Sequence, residues 1–195
     1  MIWNSIPINP LESPSQIIHH AKILSLATNL VPFAGIAFLW FMGVVRDRLG
    51  SLEDRFFATT FFGSGLLYVA MLFVSGALAT GLLQALQSGS DTMLHSDAYA
   101  VARTEIYQLT TTYATKMAGA FMMTTSTISK RTRIVAPALV VIGFILALLL
   151  LLSAGAIKWS PMIFPVWVLL ISGWILADSL RAGRQDEEGP SATIQ

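Results

Sequence analysis

The sequence predicts an all-α integral membrane protein, a bundle of five transmembrane helices, and three observations lead to this fold class. The chain is 54% hydrophobic and only 12% charged, whereas a soluble domain carries roughly 25% charged residues. Apolar segments long enough to cross a bilayer recur along the chain. The charged side chains fall in the loops, helix ends and tails between these segments, except for Lys116, which lies near the centre of one of them.

Five segments are long enough to cross about 30 Å of hydrocarbon as helices. We expect them at 23–45, 56–83, 98–129, 134–157 and 161–180. Residues 1–22 then form an outer N-terminal segment, 23–180 the transmembrane domain and 181–195 a disordered cytoplasmic tail. Helices 2 and 3 are expected to continue to Gln87 and from Asp97, as a long hairpin. The third segment is the least apolar, because it is rich in Thr and Ser.

The distribution of basic residues predicts the orientation. Eight of them follow spans 1, 3 and 5 and would share one side of the membrane, namely Arg46, Arg48, Arg55, Lys130, Arg131, Arg133, Arg181 and Arg184. Positively charged loops face the cytoplasm, so the N-terminus is expected outside and the C-terminus inside. Without the third span, the first two basic clusters would lie on opposite sides. We therefore expect this polar segment to cross.

Helix 3 has a polar stripe when its residues are placed at a helical step of 100°. The stripe consists of Glu105, Gln108, Thr112, Lys116 and Thr127. Polar residues within a span usually face the bundle interior or a wet cavity. Glu105 and Lys116 are about 16 Å apart along the helix, too far for an ion pair. Lys116 thus has either a structural role, bonded to hydroxyls or carbonyls, or a role in a path, a ligand pocket or a subunit contact.

Two further surfaces are candidates for contacts with other proteins. Helix 2 carries the small residues Gly76, Ala77, Thr80 and Gly81, whose spacing allows another helix to approach closely. This approach could occur within the bundle or between copies of the chain. On helix 5, Trp167 and Trp174 are seven residues apart, and we expect them to face lipid or a partner protein in one row.

Several functions are disfavoured by what the sequence lacks. There is no cysteine, and no G-x-S-x-G, H-E-x-x-H or phosphate-binding glycine motif occurs, so we expect no enzyme activity. His19, His20 and His95 have no metal-ligand spacing, and no metal or other cofactor is expected. A net charge of +1 gives no indication of nucleic acid binding.

Two stretches resemble a family of small multi-span bacterial membrane proteins of unknown function. In one, the Thr/Ser-rich end of helix 3 leads through a basic turn into an apolar helix, S-T-I-S-K-R-T-R-I-V-A-P-A-L, from Ser126. The other is the exit from helix 1, F-L-W-F-M-G-V-V-R-D-R-L, from Phe38. The chain has Pro137-Ala138 where that family usually has Pro-Arg. The resemblance implies a bacterial inner-membrane location and no particular activity.

These features predict a non-catalytic membrane protein, a structural or accessory subunit or a self-associating bundle. Its expected partners are the lipid bilayer and either itself or another membrane protein. The alternative is a small transporter or channel with a polar path lined by Glu105, Thr112, Lys116 and Thr127 of helix 3.

Overall fold

A computed structural model describes residues 14–49, 55–87, 96–132, 135–153 and 159–188, and these residues form five helices with no strand among them. The helices are α1 (Pro14–Leu49), α2 (Arg55–Gln87), α3, α4 (Pro137–Leu152) and α5 (Ser160–Glu188). Helix α3 is continuous but has three parts, Asp97–Gln108, a π-helical segment Leu109–Ala114, and Thr115–Thr132. The predicted all-α fold is confirmed.

Three of the five helices, rather than all five, are long and apolar enough to cross a membrane by themselves. The qualifying segments are Ser25–Asp47 of α1, Phe57–Ala85 of α2 and Ser160–Arg181 of α5. Helix α4 is strongly apolar but has 16 residues, a length of about 24 Å. Helix α3 does not qualify because threonine and serine lower its hydropathy.

Local sequence signals account for several helix ends. Helix α2 ends at Gln87 and α3 begins at Asp97, as expected. The side chain of Ser96 accepts a hydrogen bond from the backbone N–H of Tyr99 at 3.3 Å, which makes it the N-cap of α3. Helix α5 differs from expectation, because it continues to Glu188, inside the tail predicted to be disordered. Residues 1–13 and 189–195 lie outside the described part of the chain.

The most polar helix is the most enclosed one. In the last part of α3, ten of 18 residues are buried. The buried share of residues in the three apolar spans is lower, at 28%, 33% and 28%. Its Phe121 packs against rings on three helices, with centroids 5.2 Å from Phe38 and 6.4 Å from Phe41 of α1, 4.7 Å from Phe61 of α2 and 5.7 Å from Phe164 of α5. Helix α4 packs along the remaining side of α3.

Glycines allow this close packing around α3. A Cβ atom on Gly65 of α2 would lie 2.6 Å from the sulfur of Met42 on α1. A Cβ atom on Gly119 of α3 would lie 3.1 Å from the backbone oxygen of Ala147 on α4. Gly143 of α4 faces α3 and α5 with equally little space. At Gly119 a larger residue would meet the backbone of α4 and push the two helices apart, whereas at Gly65 the flexible end of Met42 would have to move.

The basic ends of α1 and α3 lie at the same end of the bundle. The guanidinium of Arg46 lies 5.0 Å from the ring centroid of Phe62, and that of Arg131 lies 4.8 Å from that of Phe57. Both rings belong to the first turns of α2, so the two arginines lie on either side of its start. Such contacts between a cation and an aromatic face are attractive.

Candidate functional site

Lys116 lies beside the C-terminus of α4 and donates a hydrogen bond to it. Its Nζ atom is 3.0 Å from the backbone oxygen of Leu151, in the last turn of α4. Carbonyls in the last turn of a helix have no donor within the helix. The negative end of the helix dipole also attracts a cation. The lysine, whose partner could not be identified from the sequence, therefore caps a neighbouring helix.

The same helix end has further donors. The carbonyl oxygen of Leu149 accepts from the backbone N–H of Ser153 at 2.9 Å, and that of Leu150 accepts from the Ser153 hydroxyl at 3.1 Å. Together with Lys116, these donors satisfy three successive carbonyls. Gly119, one turn after Lys116, lets α4 approach closely enough for the lysine to reach it.

The π-helical segment Leu109–Ala114 divides the predicted stripe. A π turn inserts an extra residue into the helix, so residues after it are rotated by about 100° from the phase of a uniform α-helix. Lys116 and Thr127 follow the segment, whereas Glu105 and Gln108 precede it. The five stripe residues therefore do not form the continuous line that a constant helical step implies.

The structure shows where the other stripe residues lie. Glu105 and Gln108 are exposed, and Thr112 and Thr127 are half-buried. The hydroxyl of Thr112 donates to the side-chain oxygen of Gln108 at 2.8 Å, and that of Thr127 donates to the backbone oxygen of Met123 at 2.8 Å. No stripe residue lines the two cavities beside Tyr68 that are described below.

The two tryptophans of α5 have different surroundings. Trp167 is 1% exposed and belongs to the central core, whereas Trp174 is 39% exposed. The two rings thus do not form one exposed row, in contrast to the expectation from their spacing. Periodicity places two residues on one helix face but does not show how far a neighbouring helix extends along that face.

The small residues of α2 also divide into two groups. A Cβ atom on Gly76 would lie 3.5 Å from Val31 of α1, so this glycine contacts a helix of the same bundle. The Thr80 hydroxyl donates to the Gly76 carbonyl oxygen at 2.9 Å. Ala77 and Gly81 are exposed, and no atom of the described residues lies within 4 Å of the Cβ position of Gly81.

A cavity of about 220 Å³ lies where α4 ends and α5 begins. The π-helical segment of α3 and the middle of α2 form its other walls. Residues from all four helices line it, namely Tyr68, Leu72, Ile106, Tyr107, Thr110, Thr111, Ala114, Thr115, Ala118, Leu150, Ser160, Pro161, Met162, Phe164 and Pro165. The described lining residues contribute hydroxyl groups but no charged side chain. Because π-helical turns occur often at functional sites, this cavity is the best candidate site.

The threonines around the cavity already have partners, but one serine does not. The hydroxyls of Thr110, Thr111 and Thr115 donate to backbone oxygens of α3 at 2.8, 2.7 and 3.1 Å. Ser160 is 0% exposed, and its hydroxyl has no hydrogen-bond partner among the described residues. A buried hydroxyl without a partner costs free energy, and such groups are uncommon in proteins.

A second, larger cavity of about 390 Å³ adjoins the first, between α1, α2 and α5. The two share Tyr68, Leu72, Phe164 and Pro165 as common walls. Apart from Tyr68, only Ser172 adds a polar side chain to the second cavity. The first cavity, which is lined by several hydroxyl groups, therefore adjoins a largely apolar cavity, which we call the apolar groove.

Sequence reasoning missed Ser160, the π-helical segment and the packing role of Gly119. No pattern marks a π turn, and a serine at the start of a helix is ordinary. Gly119 stands alone on α3, without the small-residue spacing that indicates a close helix contact on α2.

Neither a metal site nor a known relative identifies the chain. The described residues contain no group of three or more metal-binding side chains. His95 lies outside the described residues, and the side chains of His19 and His20 are likewise not described. No protein-family model, curated protein or solved structure matches the chain.

Proposed function

We propose that this chain is a non-catalytic membrane protein, an accessory or self-associating bundle of five transmembrane helices in the bacterial cytoplasmic membrane. Its N-terminus is outside and its C-terminus is inside. The observation that carries the proposal is the hydrogen bond from Lys116 to the end of α4. It gives Lys116 a structural task, and no described residue that lines the two cavities beside Tyr68 is charged.

The hydrogen bonds of the α3 hydroxyls support α3 as a polar span in addition to the three apolar ones. Thr124 and Thr125 donate to the carbonyl oxygens of Ala120 and Phe121 at 2.9 and 2.8 Å, and Thr127 bonds in the same way. Hydroxyls paired inside their own helix need no water, so the polar groups of α3 can enter the hydrocarbon. The surrounding helices also cover much of this part of α3.

The position of Lys116 along α3 supports the same arrangement. From Lys116 to Arg131 the helix rises about 22 Å. If Arg131 marks the cytoplasmic boundary of a core of about 30 Å, then Lys116 lies about 8 Å from the outer boundary. This depth is closer to the surface than the centre expected from the sequence, and a lysine side chain can reach water from it.

The exposed surface of α2 that contains Ala77 and Gly81 is the proposed contact for a second copy. A cysteine at Gly81 tests it, because the chain has no other cysteine. Oxidation of Gly81→Cys in native membranes should give a covalent dimer. Gly173→Cys on α5 is the matched control, since its Cβ position is equally open. A cross-linked dimer from Gly173→Cys but not from Gly81→Cys would reject this surface.

A flux assay separates this proposal from a transporter or channel. Purified protein in vesicles should conduct protons, K⁺ and Cl⁻ no faster than protein-free vesicles do. Flux that Lys116→Met abolishes in folded protein would favour the polar path and contradict the accessory role.

A further inference from the structure

We propose that the cavity at the junction of α4 and α5 binds the hydroxyl head of an uncharged, lipid-like molecule. The apolar tail of that molecule lies in the adjoining groove between α1, α2 and α5. The proposal rests on the hydrogen-bonding groups of the cavity and on the position of the groove, and it is independent of the oligomeric state.

Two residues of the cavity wall provide a buried donor without a partner and an acceptor that lacks its usual donor. The donor is the hydroxyl of Ser160, which is fully buried and without a partner among the described residues. The acceptor is the carbonyl of Pro161. A helical carbonyl normally accepts from the N–H four residues later, but that residue is Pro165, which has no N–H.

A hydroxyl group suits this pair better than other head groups do. It can accept from Ser160 and donate to the Pro161 carbonyl at the same time, whereas a ketone can only accept. An ionic head is disfavoured, because no charged side chain of the described residues lines the cavity and an unpaired buried charge is costly.

The size and neighbourhood of the cavity favour a chain-like ligand. A volume of about 220 Å³ is below the 300–1,000 Å³ typical of sites that enclose a whole drug-sized molecule. Only the head of a longer ligand fits there. The apolar groove begins on the other side of Tyr68 and Phe164, where a hydrocarbon tail would contact ring and aliphatic atoms.

Photolabelling tests the proposal. Protein in lipid nanodiscs is labelled with a twelve-carbon alcohol that carries a diazirine on its chain, and mass spectrometry maps the adducts. We expect adducts on the peptides that contain Tyr68 and Phe164. Excess 1-dodecanol should compete strongly, 2-dodecanone less and dodecane least. Adducts elsewhere, or equal competition by dodecane, would overturn the proposal.

Two serine-to-alanine substitutions provide a test variant and its matched control. Ser160→Ala should weaken binding of the labelled alcohol about 2- to 12-fold, as expected for the loss of one neutral hydrogen bond. It should fold normally, because it removes a hydroxyl that has no partner among the described residues. Ser153→Ala removes a buried hydroxyl that already donates to Leu150, and it should leave binding unchanged. Undiminished binding to folded Ser160→Ala would reject the site.

Discussion

Lys116 shows how a lysine in the enclosed helix α3 can be stabilised by a backbone carbonyl. Its ammonium group donates to a carbonyl in the last turn of α4 at 3.0 Å, where both an unpaired acceptor and the helix dipole are present. The sequence does not reveal this acceptor, because Leu151 is 35 residues from Lys116 along the chain. Every residue has a backbone carbonyl, so no residue type marks the one that accepts.

We predict that Lys116→Met destabilises the bundle by about 1–3 kcal/mol, the usual cost of leaving a buried acceptor unsatisfied. The free energy of unfolding in mixed SDS micelles measures this change. Lys130→Met removes an exposed lysine and should change that free energy by less than about 0.5 kcal/mol. Equal effects of the two substitutions would show that the loss of a positive charge, rather than the loss of the hydrogen bond to α4, changes the free energy of unfolding.

At the scale of the helix, the ends and the polar character of α3 could be predicted from sequence, but its phase could not. Ser96 and Asp97 mark its start, and the threonines explain its low hydropathy. The π-helical segment Leu109–Ala114 has no sequence signal and changes which residues share a face. The Ser160 cavity was also invisible, because it exists only where four helices meet.

Gly119 tests the contact between α3 and α4. We predict that Gly119→Leu lowers the free energy of unfolding by about 1–3 kcal/mol, because the added atoms meet the backbone of Ala147. Gly173→Leu serves as the control, since nothing lies near its Cβ position. A Gly119→Leu protein as stable as the control would contradict this close approach.

The threonines of α3 give a second test at this scale. The hydroxyl of Thr125 donates only to the carbonyl of Phe121 in its own helix, whose backbone bond remains when the hydroxyl is removed. Thr125→Val should therefore change the free energy of unfolding by less than about 1 kcal/mol. A much larger loss would indicate a hydroxyl partner on another helix or a bound ligand.

At the scale of the whole molecule, the helices are arranged from polar inside to apolar outside. Helix α3 is the most polar and occupies the centre, whereas α1, α4 and α5 expose large apolar side chains such as Trp40, Ile145 and Leu169. A membrane protein can invert the usual rule in this way because its solvent is hydrocarbon. Hydropathy alone consequently underestimates how well α3 fits into the bundle, because many of its polar side chains are covered by other helices.

Cysteine accessibility in cells tests the central claim, that α3 crosses the membrane as the enclosed helix of a five-span bundle. Single cysteines replace Asp97 and Thr132 at its two ends, with Ser179→Cys on α5 as a reference for the cytoplasmic side. A membrane-impermeant maleimide should label position 97 in intact cells and positions 132 and 179 only after permeabilisation. Labelling of positions 97 and 132 from the same side would contradict the account.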